Sequence, residues 1–170
     1  MPETRKNAAD AAAVPSANKP ELTITRTFNA PRELVYKLFT EPEHLMHWMG
    51  PYGFTPMHFT QDARVGGSWR GMLHPDGGGK DLWQGGVFRE ITPPSRVSYT
   101  FAWDEDDYGK PGNLMLVTLD FEALGDKTRL HFHQSGFTGE GQRDGHNGGW
   151  SSSFDRFEEY LATVTKGVAK

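Results

Sequence analysis

Towards the C-terminus, Trp150, Phe154, Phe157, Leu161 and Val164 follow one another at steps of four, three, four and three. That spacing lays five large apolar side chains along one face of an α-helix for four turns. Such a face has to be buried, and what precedes it reads as sheet. Leu22, Ile24, Arg26 and Phe28 alternate with Thr23, Thr25 and Thr27. Val97, Tyr99, Phe101 and Trp103 alternate with Ser98, Thr100 and Ala102. Met115, Val117, Leu119 and Phe121 form a third alternating face, and Leu130 and Phe132 a fourth, between Arg129, His131 and His133. A period of two marks half-buried strands. Residues 55–62, 68–74 and 80–91 are further candidate strands, separated by Gly66-Gly67 and the hairpin signal Pro75-Asp76-Gly77-Gly78-Gly79. With 20 glycines and 11 prolines, the chain has turns enough for a β-rich fold.

Two short helices fit between the first strand and the rest. Pro31 suits a first turn, and Leu34, Val35, Leu38 and Phe39 share a face. Thr40 and Glu43 have capping-box spacing for a second helix through about Trp48. The order is strand, two short helices, about six strands and one long helix from about His146 to Lys166. It predicts an α+β fold in which a curved antiparallel sheet of six to seven strands wraps the C-terminal helix. Residues 1–20 lack large apolar residues apart from Met1 and Val14 and read as a disordered tail; residues 21–168 read as one domain. The glycine-rich stretch 136–149 reads as a polar loop able to gate the space beneath it, with Ser151, Ser152 and Ser153 opening the helix.

The chain has no cysteine, which removes disulfides, thiolate zinc sites, iron–sulfur clusters and cysteine nucleophiles together. A net charge of −4 argues against nucleic-acid binding. No apolar run approaches the ~18–20 residues of a membrane span. The expected location is cytoplasmic.

Nothing in the sequence demands catalysis. There is no G-x-S-x-G elbow, no dinucleotide fingerprint and no P-loop. The acidic run Asp104-Glu105-Asp106-Asp107 lacks EF-hand spacing and reads as a solvated loop. His131 and His133 share a strand face that should meet solvent, and His44 and His47 stand near a helix end. No metal or cofactor is expected. Arg89 with Glu90, and Asp62 with Arg64, are candidate structural ion pairs. The aromatic set is the main signal. Five tryptophans in one small domain are hard to pack solid, because each N–H wants a partner. A gripped helix that leaves a gap makes an apolar cavity of about 300–1,000 Å³ with a few polar groups. The candidate wall is Trp48, Phe54, Trp69, Trp83, Phe101, Trp103, Met115, Trp150 and Phe154, with Met49 and Met72 as adaptable fillers. His146, four residues before Trp150, offers a polar nitrogen at the mouth, or else a helix cap.

Several stretches carry a family resemblance: Phe28-Asn29-Ala30-Pro31 with Val35; His47-Trp48-Met49-Gly50-Pro51 with Gly53-Phe54; residues 62–69 (DARVGGSW); residues 90–97 (EITPPSRV); and His146 with Gly149-Trp150. In this order, across about 145 residues, they resemble the activator-of-heat-shock-protein-90-ATPase-like branch of the START-related SRPBCC superfamily. His47 stands where that pattern often has an aromatic. The resemblance implies the helix-grip fold and three possible functions. The first is binding of a hydrophobic small molecule, lipid-like or aromatic, between sheet and helix. The second is an aromatase- or cyclase-like enzyme in the same cavity. The third is a protein-interaction module with a chaperone partner.

Overall fold

The computed structural model describes residues 19–169; of the tail expected over residues 1–20, residues 1–18 lie outside them. Strand β1 (Leu22–Phe28) leads into helices α1 (Arg32–Thr40) and α2 (Pro42–Trp48). Strands β2 (Phe54–Gln61), β3 (Ser68–Pro75), β4 (Leu82–Thr92), β5 (Arg96–Trp103), β6 (Met115–Leu124) and β7 (Lys127–Ser135) follow, then helix α3 (Glu140–Ala169). The sheet order is β1-β7-β6-β5-β4-β3-β2, with every neighbouring pair antiparallel. Six strands thus form a meander, and β1 joins beside the last of them. The sheet curls into a half-barrel, and α3 lies along its concave face.

The apolar stripe of α3 seats as its spacing requires. Trp150, Phe154, Phe157 and Leu161 are buried. Phe157 meets Phe28, Phe39 and Trp48 at centroid distances of 4.8, 4.4 and 5.0 Å. Phe154 meets Phe132 and Phe39 at 5.6 and 5.9 Å. The inward faces of β6 and β7, Met115, Val117, Leu119, Phe121, Leu130 and Phe132, complete this solid end. The alternate residues His131 and His133 face out and bond to Glu122 (2.9 Å) and Glu21 (2.5 Å).

Helices α1 and α2 close the same end. Their junction is not the capping box the sequence suggests. Thr40 is the last residue of α1 and donates to the Tyr36 carbonyl at 2.7 Å. Glu41 is the N-cap of α2 without a side-chain cap bond, and Pro42 occupies the first turn, where its missing N–H is no loss. The Trp48 Nε1–H donates to Leu38 O at 3.0 Å, binding α2 to α1.

Helix α3 also begins earlier than its composition suggests. The stretch 136–149 is a loop only to Gly139; Gly141, Gly145, Gly148 and Gly149 are all inside the helix, and the three serines are internal to it. Gln142 accounts for the early start. Its Oε1 accepts from the Thr138 N–H at 2.8 Å, and its amide exchanges bonds with Asn113 at 2.8 and 3.1 Å. These bonds anchor the first turn to the segment between β5 and β6. The expected Arg89–Glu90 pair does not form either: the β4–β5 register shifts between Phe88 and Glu90, which leaves Arg89 unpaired in the ladder, and both side chains are exposed. Glu90 bonds Arg96 instead at 3.1 Å, whereas Asp62 and Arg64 do pair at 2.7 Å.

Two arginines fasten α3 laterally. Arg26 on β1 reaches Asp155 (2.9 Å), Glu158 (3.3 Å) and the Ser151 carbonyl (3.1 Å). Arg156 directs one guanidinium nitrogen to the carbonyls of Gly50 (2.9 Å), Pro51 (3.1 Å) and Phe54 (2.8 Å). The Tyr52 hydroxyl donates to Glu159 beside it. Three backbone carbonyls between α2 and the start of β2 therefore depend on Arg156, while the acidic partners of Arg26 are about half exposed. Arg156→Met is expected to lower the unfolding free energy by about 1–3 kcal/mol. Arg26→Met should cost less than about 1 kcal/mol. Urea denaturation of the two variants with unchanged m-values checks the ranking.

Candidate functional site: a two-chamber cavity under helix α3

The inward residues of β3, β4 and β5 do not fill the space beneath the first half of α3. Two adjoining chambers remain. The inner one, about 50 Å³, lies among Phe39, Leu45, Phe59, Trp69, Phe88, Val97 and Tyr99. The outer one, about 190 Å³, lies among Phe54, Leu73, Leu82, Trp103, His146 and Ser153. Met49, Gln84, Phe101 and Trp150 border both. Even together the chambers fall short of the ~300 Å³ at which drug-sized pockets begin. The cavity is smaller than the sequence suggested because the indoles occupy much of it.

Each indole lining the chambers has its N–H satisfied. Trp69 Nε1–H donates to Thr100 O at 3.0 Å. To reach it the ring spans β4, which has Gly85 and Gly86 there; a β-carbon on Gly86 would stand 1.8 Å from that same carbonyl oxygen. Trp150 Nε1–H donates to Gln134 Oε1 at 2.8 Å, and Gln134 Nε2 reaches Met115 Sδ at 3.4 Å. Trp103 Nε1–H donates to His146 Nε2 at 3.2 Å. These bonds fix the ring positions and so the shape of the space between them.

His146 is therefore no helix cap. It lies in the second turn of α3, walled by Phe101 (5.9 Å), Trp103 (6.1 Å) and Phe137 (5.4 Å). Burial among these rings pushes its pKa down to about 4. The imidazole is neutral at pH 7, with Nε2 accepting and the proton on Nδ1. It stands between the outer chamber and a wider surface groove of about 630 Å³, bordered by Trp83, residues 104–107, Asn113 and Gln142. Three acids of that groove are engaged. Asp104 holds Arg70 through two bonds of 2.6 and 2.7 Å, Glu105 holds Lys80, and Asp106 accepts the N–H groups of Tyr108 and Lys110.

The chambers thus bring together Phe54, Trp69, Phe101, Trp103, His146 and Trp150 from the aromatic set. Four members lie elsewhere. Trp48 and Phe154 are fully buried in the solid end, below the chambers. Met115 is buried against Gln134. Trp83 is on the convex face of the sheet, under the Arg70 guanidinium (5.2 Å) and beside His58 (5.2 Å). Met72 pairs with Trp83 across the strands and shares that outer face, whereas Met49 borders both chambers. On β4 the inward parity belongs to Gln84 and Phe88, not to Trp83 and Val87. Gln84 and Tyr99 are polar groups of the cavity that the aromatic signal overlooked; burial pushes the Tyr99 phenol up and keeps it protonated. Away from the cavity, the ligand atoms of Glu41, Glu43 and His44 lie within 4.8 Å of one another, and His44 Nδ1 is engaged with the Tyr160 hydroxyl at 2.7 Å.

A family model for Activator of Hsp90 ATPase homolog 1-like proteins matches residues 29–162. The chain belongs to that family. Solved structures share its fold. A crystal structure of a Chromobacterium violaceum protein is 26% identical with a TM-score of 0.73, covering 83% of this chain and 96% of that one. The AHSA1 protein of Silicibacter pomeroyi is 24% identical with a TM-score of 0.76, covering 85% and 99%. A solution structure from Arthrobacter aurescens is 21% identical with a TM-score of 0.74, covering 88% and 92%. No curated protein matches the chain. No helix among the described residues is long and apolar enough to cross a membrane.

The His146 environment sets a pH dependence. Its folded pKa, about 4, lies below the ~6.5 of a free imidazole, so the unfolded chain binds the extra proton first. The stability contributed by neutral His146 is present above pH ~6.5 and is lost as pH falls towards 4. The His146 ring resonances are expected to titrate near pH 4. The fall in unfolding free energy between pH 6.5 and 4 should be smaller in His146→Gln, which keeps an acceptor for Trp103. Proton NMR and urea melts across that range check both.

Proposed function

We propose that this protein binds a compact, uncharged, largely apolar small molecule in the cavity between the sheet and α3. The observation that supports this is the lining: mostly apolar and aromatic, with a few neutral polar side chains and no Lys, Arg, Asp or Glu bordering either chamber. An ionised ligand would lose its hydration there without a counter-charge. Size narrows the choice further. An apolar cavity of about 150 Å³ is enough for benzene. The outer chamber, about 190 Å³, matches a single aromatic ring better than a long acyl chain. Affinity comes mainly from apolar burial, at roughly 25 cal/mol per Å² before association costs.

Access is through the first turns of α3. Gly145 and Gly149 border the outer chamber, and helix-interior glycine is about 1 kcal/mol less favourable than alanine. Local opening of these turns is the gating step. The enzyme reading has two titratable groups at the cavity, but the His146 imidazole offers its acceptor nitrogen to Trp103 rather than to a substrate, and burial keeps the Tyr99 phenol protonated. The chaperone-module reading requires no cavity, and the chambers weigh against it.

The test is a titration followed by amide NMR, with indole and 1-dodecanol as probes. Indole is expected to give saturable shifts at the residues of the two chambers, and Met49→Trp, which fills their junction, is expected to abolish them. Dodecanol should shift little. Stronger binding of the long-chain alcohol would overturn the size argument; no saturable shift with either probe would overturn the cavity reading.

A further inference from the structure

Gln84 stands at the junction of the two chambers, on the inward face of β4, and borders both. It is 4% exposed. Its side-chain amide has no hydrogen-bond partner among the described residues, whereas the other buried glutamine, Gln134, is held by Trp150 and Met115. The amide is not sealed off: among the described residues the buried side-chain atom left without a partner is Arg32 Nε, so the Gln84 amide opens onto the chambers, where a ligand can reach it. A primary amide presents an acceptor and a donor side by side along one planar edge, with its second donor turned away from that edge. Opposite it are Phe101, Trp150 and Met49, which supply faces for a ring and no competing polar group. The inner chamber adds the Tyr99 hydroxyl, likewise without a partner among the described residues.

We infer that Gln84 is the polar recognition group of this cavity and that it selects a neutral, single-ring molecule with a donor–acceptor edge of its own, of the carboxamide or lactam type. This rests on the small-molecule reading above. Two antiparallel N–H···O=C bonds between the amides satisfy Gln84, while the ring takes up the apolar space of the outer chamber. A carboxylic acid has the same shape but ionises, and it would bring an unpaired charge into a site without cations. A hydrocarbon ring fills the space and leaves Gln84 unbonded.

The test uses benzamide, benzoate and toluene at pH 7.5 on the full chain and on Gln84→Met, with affinities from calorimetry or NMR titration. Benzamide is expected to bind the native protein and to lose about tenfold in affinity in Gln84→Met. Toluene should bind both forms within about threefold, and benzoate should bind at least about tenfold more weakly than benzamide. In the native protein the Gln84 side-chain amide resonances should shift with benzamide and not with toluene. That readout decides the matter if Gln84→Met fails to fold. Equal losses for benzamide and toluene, or a Gln84 amide unmoved by benzamide, would overturn the role of Gln84 and leave the cavity reading standing. If toluene and benzamide both fail to bind the native protein, the cavity reading falls and this inference with it.

Discussion

The burial of one helix face inside a curled sheet is the constraint on which the other features depend. Trp150, Phe154, Phe157 and Leu161 have no other apolar surface large enough to receive them. The sheet curls round that face, and the arginines Arg26 and Arg156 hold its flanks. Even the tilt of the loop after α2 follows from it. The carbonyls of Gly50, Pro51 and Phe54 converge on a guanidinium that the helix carries to them. The loop that borders the outer chamber is thus positioned by the same helix that forms its roof.

The grip is uneven along its length. Around Phe157 the helix meets Phe28, Phe39 and Trp48 edge to face or tilted, close enough to leave nothing between them. Around His146 and Trp150 the indole N–H groups are already committed, Trp69 to Thr100, Trp150 to Gln134 and Trp103 to His146. A ring that must satisfy its N–H cannot also move to fill a gap. The chambers are what those competing demands leave, which explains both their existence and their small size.

The fold was legible because it rests on periodicity. A period of two on β5, β6 and β7 and of 3.6 on α3 are local patterns, and each produced the face it implied. The cavity was less legible, because its boundary is set by contacts between elements. Trp83 looked inward by residue type, yet strand parity puts it on the convex face, where Arg70 covers it. Trp48 and Phe154 have the chemistry of a pocket wall and serve as core. Gln84 carried no aromatic signal; its inward position follows only from the parity it shares with Phe88. The start of α3 was missed for a different reason. Its glycines argue locally for a loop, and what overrides them is the bonding of Gln142 to Thr138 and Asn113.

Those glycines have a consequence for any attempt to engineer the chain. At Gly141, Gly145, Gly148 and Gly149 a β-carbon would meet nothing within 4 Å, and none has a positive φ. Ordinary helix optimisation would change all four to alanine. At Gly148, which borders neither the chambers nor the groove, that trade is free of conflict. At Gly145 and Gly149 the added methyl would stiffen or crowd the roof of the outer chamber. Robustness and accessibility are therefore coupled in this protein at the level of single hydrogen atoms on the backbone, and a hardened version of it is liable to be a sealed one.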